Sequence, residues 1–216
     1  IDGARAGDFF NTATNEIISG ETGVVVIPCA FARSYTEWRP RTEGGGLVKD
    51  YGSDSSILSK TRRDSSNRNL TDAGTYILES MHYYVLVLTP DEEVSSRCVL
   101  PLASTQLKKG RQWNTTISQM MVKGSDGKPF NPPMFYHSWR LTTVPESNDQ
   151  GNWMGIKIVK HKPILEMPNP TALFELATGF ASLVKSGSVQ VRHEDMADSS
   201  TESGDSRKPL DDEIPF

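Results

Sequence analysis

Only two of the 216 residues are cysteine, Cys29 and Cys98, and both sit in apolar, strand-like runs. Thiols in such settings read as small buried hydrophobes of a reducing compartment, with a single disulfide as the alternative. There is no Cys-x-x-Cys pair, and His82, His137, His161 and His193 are scattered without metal-ligand spacing. No metal or cofactor is expected. The "EGGG" at 43–46 is not followed by Gly-Lys-Ser/Thr, which excludes a phosphate loop, and no Gly-x-Ser-x-Gly elbow occurs. Asp91, Glu92 and Glu93 form a carboxylate cluster, but on a turn between two strand-like runs, where a solvated hairpin tip is the plain reading. The chain therefore reads as a non-enzyme. It has no run of 18 apolar residues and no secretory leader, so neither a spanning helix nor export is expected. The chain begins at Ile1, which leaves open the removal of an N-terminal piece.

The net charge of −4 is unevenly distributed. Residues 1–187 hold 20 Lys and Arg against 19 Asp and Glu, whereas residues 188–216 hold 3 against 8. Nearly all the excess acid thus lies at the C-terminus, the pattern of an acidic interaction tail. Apolar content collapses from Ser188 onward, and "ADSSTESGDSRK" cannot bury enough surface to fold. Two regions follow: a folded domain over 1–187 and a disordered acidic tail over 188–216.

Within the domain, "GVVVIPCAF" is rich in β-formers, and Pro28 predicts an edge or bulge before the strand resumes through "ARSYTEWR". Residues 40–74 are poor in apolar groups and read as a long mobile excursion. "TYILESMHYYVLVLT" is the strongest strand signal, turned by "PDEE" into "SRCVLPLA". Residues 104–121 read as a helix, capped by Ser104 or Thr105 and weakened by Gly110. "MFYHSWRLTTV" and "WMGIKIVK" are two further strands, and a last helix over 171–185 stops before Gly187. About five strands with a helix between the third and fourth suit a mainly β, OB-fold-like barrel; a small sandwich is the alternative.

Aromatic and basic residues interleave in "FARSYTEWRPR", "KKGRQW", "FYHSWR" and "WMGIK". Single-stranded nucleic acid is held by this mixture, cations following the phosphates and flat rings stacking on unpaired bases. Strand alternation sorts the candidates. Arg33, Tyr35 and Arg39 share one parity, Tyr136 and Arg140 another outward face, and Trp153 and Lys157 a third. Trp38, and Phe135 with Trp139 and Leu141, fall on inward faces. Arg41, together with Lys60, Arg62, Arg63 and Arg68 of the excursion, adds cations that could fold over a bound strand.

The chain ends "PLDDEIPF". This closely resembles the C-terminal tip of bacterial single-stranded DNA-binding proteins, which end in acidic residues followed by Ile-Pro-Phe. The resemblance implies an OB-fold body, a disordered linker, and a tip that recruits replication, recombination and repair proteins. It places a pocket-filling ring and a terminal carboxylate on Phe216, apolar contacts on Pro215 and Ile214, and rim contacts on Asp211, Asp212 and Glu213. The body departs from the bacterial protein in its length, its 40–74 excursion and its late helix. "ARAGDFFNTATNE", "EWRPRTEGGGLV" and "STQLKKGRQWN" resemble segments of a group of tailed-phage proteins. The expectation is a phage-encoded single-stranded DNA-binding protein of the infected bacterium's cytoplasm, with host or phage replication and repair proteins as partners. A strand-annealing protein and an adaptor that does not bind DNA are the alternatives. Self-association and the choice between DNA and RNA stay open.

Overall fold

The computed structural model describes residues 1–65, 68–149, 151–189 and 191. Five long strands carry the architecture: β1 (Val24–Trp38), β2 (Tyr76–Leu88), β3 (Val94–Ala103), β4 (His137–Asn148) and β5 (Gly151–Pro163). Their order in the sheet is β5-β4-β1-β2-β3, and every neighbouring pair is antiparallel. Among the described residues no ladder joins β3 to β5, so the sheet curls into a half-barrel that stays open along that seam. Helix α1 (Leu107–Ser118) packs against β2, β3 and β5 there, and helix α2 (Pro170–Lys185) packs against β1 and β2. The protein is thus mainly β, with a C-terminal helix on the described body.

Pro28 does what its chemistry predicts. The β1–β2 register shifts between Pro28 and Ala30, a bulge that lets the 15-residue strand bend. β4 pairs with β1 only from Val24 to Val26, so the residue without an N–H lies past the end of that ladder.

Both faces of the sheet are apolar and both are covered. On the α1 side, Val26, Met81, Tyr83, Val85, Trp139, Leu141 and Ile156 pack with Trp113 and Ile117 of the helix. Tyr83 and Trp113 stack with centroids 4.3 Å apart, and Trp139 meets Trp113 edge-on at 5.8 Å. On the α2 side, Ile27, Cys29, Tyr84, Leu86 and Leu88 pack with Leu173, Ala177 and Phe180. The two free thiols lie on opposite faces, Cys29 on the α2 side and Cys98 on the α1 side. Burial pushes the Cys29 thiol up to about 12, so it stays neutral.

Gly110 weakens α1 by propensity but fits its packing. A Cβ at that position would sit 2.6 Å from the Met81 sulfur, and the Tyr83 hydroxyl donates to the Gly110 carbonyl at 2.6 Å. The missing side chain lets helix and sheet approach closely. The helix is shorter than the sequence suggests. A 3-10 turn, Ser104–Gln106, precedes it, and no side chain caps it, so Ser104 and Thr105 do not act as caps. α2 begins one residue earlier than expected, with Pro170 in its first turn, where a proline's missing N–H costs nothing. After it, Gly187 takes φ +78° and donates its N–H to Val184.

The 40–74 segment is built from short elements. Leu47–Asp50 pairs with the end of β1, Ser55–Lys60 is a 3-10 helix capped by Asp54, and Arg62–Arg63 pairs with Asn69–Leu70. Its few apolar residues gather with Tyr35 and Ile77 in a small third cluster that contains Ile57, flanked by Tyr51 and Leu58. Buried Glu37 accepts hydrogen bonds from Tyr51, inside the segment, and from Thr75, just after it, tying both to β1.

Candidate nucleic-acid interface

A groove of about 1220 Å³ runs between the β1–β2 connection and the tip of the β4–β5 hairpin. Five cations line it: Arg41, Arg63 and Arg68 from the connection, Lys108 and Arg111 from α1. Tyr76, the first residue of β2, supplies an aromatic ring, and the Arg68 guanidinium carbon lies 5.8 Å from its centroid. Asn148 and Asp149 at the hairpin tip form the opposite rim.

The lining also carries Glu43, Glu79 and Asp149. Glu79 is engaged: Arg111 Nη2 lies 3.0 Å from one carboxylate oxygen and Arg33 Nη1 4.0 Å from the other. Arg68 is oriented by Asp64, which accepts from its backbone N–H at 2.7 Å and its Nε at 2.8 Å. Arg41 and Lys108 make no ion pair among the described residues, so their charge is available to an incoming anion.

Of the residues singled out from sequence, the groove thus gathers Arg41, Arg63 and Arg68, with Arg33 beside it through Glu79. Arg39, Lys60 and Arg62 are exposed but do not line it. Tyr35 is a correction. It is buried at 4% exposure within the third cluster, because the 40–74 segment covers the face that alternation assigns to solvent. Tyr136 is a second correction: it belongs to a 3-10 turn, Met134–Tyr136, before β4 begins, and it is half-buried against His137. That turn, and a register shift between His137 and Trp139, also put Phe135 in the α2-side cluster and Trp139 in the α1-side cluster, although their parity is the same. Arg140 points outward as expected, with Nη1 3.4 Å from the Thr22 carbonyl, but away from the groove.

Trp153 is half-buried, and its indole donates to Glu146 at 3.0 Å. Lys109 pairs with the same carboxylate, and hydrogen bonding from Lys109 holds Glu146 below its ordinary range. Trp153 is therefore fixed on the β4–β5 hairpin by the carboxylate that Lys109 ties to α1. Lys157 is exposed nearby, on β5. Burial, assisted by Lys160, lowers His137 to about 4, so it is neutral near pH 7 and supplies no cation. The tip residues, Asp211 to Phe216, and the tail from 192 lie outside the described residues.

Tyr76, Lys108 and Arg111 are the groove residues that alternation did not select. The signal for the two cations was the basic run "KKGRQW" next to the strand end. Tyr76 had only its place at the strand's start.

The described body is accordingly a curled, mainly β scaffold with a cationic groove at one end. A family model described as Pam3 phage gp34-like protein matches residues 1–190, and the chain belongs to that phage family. No curated protein and no solved structure matches it significantly.

Proposed function

We propose that the protein binds single-stranded DNA without strong sequence preference and protects it during phage DNA replication, recombination and repair. The groove carries this reading. It offers five cations and an aromatic ring, the pairing of charge and stacking that unpaired nucleic acid requires. Its position adds support. An OB-fold is a five-stranded, partly open barrel that binds oligonucleotides through its second and third strands and the loops joining strands 1–2 and 4–5. Here five long strands leave the β3–β5 seam open, a helix follows the third, and the groove lies between those two connections. We therefore read the half-barrel as an OB-fold variant.

Fluorescence anisotropy with labelled oligo-dT and with a duplex of equal length tests the reading. Tighter binding of the single strand is expected, with log affinity falling against log salt by about 0.7 per phosphate neutralised. Equal affinity for the duplex, or a slope near zero, refutes it.

The same proposal gives the acidic tip the role implied by its sequence: recruiting host or phage replication and repair proteins in the infected cell. Phe216 supplies an aromatic ring, Pro215 limits its freedom before binding, and the acids steer it to a basic surface. Deleting Ile214–Phe216 should abolish capture of such partners from bacterial lysate. DNA affinity should hold or rise slightly, because an acidic competitor is shortened. Identical partners from intact and deleted tails would remove the tip from the mechanism.

A further inference from the structure

Asp64 follows the short strand Arg62–Arg63, and Arg68 precedes its partner Asn69–Leu70. Three hydrogen bonds join the two residues. The Asp64 N–H donates to the Arg68 carbonyl at 3.0 Å, and the Arg68 N–H donates to Asp64 Oδ1 at 2.7 Å. These two continue the strand pairing by one step. The third, from Arg68 Nε to Asp64 Oδ2 at 2.8 Å, adds nothing to that pairing. It fixes instead a long side chain that lines the groove.

A guanidinium carries one N–H on Nε and four on its Nη nitrogens, all donors. Asp64 takes the first, and among the described residues no protein acceptor takes the other four. Arg111 is held differently: its Nη2 meets Glu79 at 3.0 Å, which occupies the end of the fork that an anion would use. The Arg68 guanidinium carbon also lies 5.8 Å from the Tyr76 ring centroid, so an anion on its Nη nitrogens would sit close to an aromatic ring. An unpaired nucleotide has this layout, a phosphate beside a flat base. Asp64 itself does not line the groove, and its side chain is 13% exposed against 53% for Arg68.

We propose that Asp64 is a positioning residue for single-strand binding: it holds Arg68 so that the Nη nitrogens grip a phosphate while the adjoining base stacks on Tyr76. The inference rests on the single-strand reading of the groove. A planar fork suits a phosphate in two-point contact, and a side chain fixed beforehand loses less freedom on binding.

The sign of the effect separates this role from bare electrostatics. An acid beside a cationic groove repels DNA, so on charge alone its removal strengthens binding. Asp64→Asn is the selective variant. Its carbonyl oxygen still accepts from the Arg68 N–H, whereas the amide that replaces Oδ2 cannot accept from Nε. Anisotropy with labelled oligo-dT at 0.1 M salt should show binding weakened by about two- to tenfold, the worth of one side chain left to be ordered. In an Arg68→Ala background the same change should cost nothing or bring a slight gain. Arg68→Lys keeps the charge and both backbone bonds but loses the fork, and it should weaken binding to a similar degree. Thermal unfolding checks each variant, and Arg68→Lys carries the test should Asp64→Asn fail to fold. Binding by Asp64→Asn at or above the wild-type affinity, an equal loss in the Arg68→Ala background, or wild-type affinity in Arg68→Lys would overturn the positioning role. Any of these leaves the groove reading standing, whereas no preference of the wild type for single strands removes both.

Discussion

Trp139→Ala should cost about 3–5 kcal/mol of folding stability, as expected for deleting a buried indole. Trp139 lies opposite Val26 where β4 joins β1, and its ring meets Trp113, which stacks in turn on Tyr83. Removing it opens a cavity between α1 and the sheet at the one place where β4 and β1 pair. The neighbours cannot collapse into the space, since Tyr83 is held by its bond to the Gly110 carbonyl and α1 already touches Met81 through a bare glycine. Trp38→Ala is the matched comparison. Trp38 is half-buried near the end of β1, and its indole donates to Thr36 at 2.8 Å. Its removal should cost roughly 1–2 kcal/mol, one modest contact plus one hydrogen bond. Urea unfolding of both variants checks the order. A loss at Trp38 equal to or above that at Trp139 would show that the core does not centre on the α1 seam.

The long elements were readable because their signals were local. Pro28 announced its bulge, "TYILESMHYYVLVLT" carried enough β-branched and aromatic residues to be a strand in any context, and Gly187 marked the end of α2. What alternation could not supply was a face. It works when one side of a strand is buried and the other wet. Here α1 covers one side of the sheet and α2 the other, and every residue from Met81 to Leu86 is buried. Parity therefore misassigned Tyr35, which a non-local cover buries, and Tyr136, which precedes a strand whose register shifts; it read Phe135 rightly as inward, but that residue packs in the α2-side cluster rather than beside Trp139. The 40–74 segment was opaque for a related reason. Its apolar residues are too sparse to declare a core, and they form one only with Tyr35 and Ile77 from the long strands. The groove was half legible: the basic clusters were visible as clusters, but that Arg41, Arg63, Arg68, Lys108 and Arg111 line one concavity is a fact of topology, set by the strand order.

Replacing Arg41, Arg63, Lys108 and Arg111 together with alanine should weaken oligo-dT binding by between two and three orders of magnitude at 0.1 M salt. Each cation that neutralises a phosphate contributes about 0.7 to the salt slope, so four lower it by about 2.8, which is roughly 600-fold at 0.1 M and shrinks towards nothing near 1 M. None of the four is buried, and loss of the ion pair between Arg111 and Glu79 leaves Glu79 beside Arg33. Arg111 itself is exposed and Glu79 keeps Arg33 as a partner, so the variant should remain folded. Loss of Arg111 also frees negative charge on the groove wall, which pushes affinity down further. Arg140→Ala is the control. Arg140 projects from β4 on the side opposite Trp139 and outside the groove, so its loss should leave both affinity and slope unchanged. The salt dependence decides the matter. A large loss that persists at 1 M salt would mean that the four substitutions damaged the fold or a stacking surface, and an equal loss in Arg140→Ala would mean that the strand tracks a different face of the sheet.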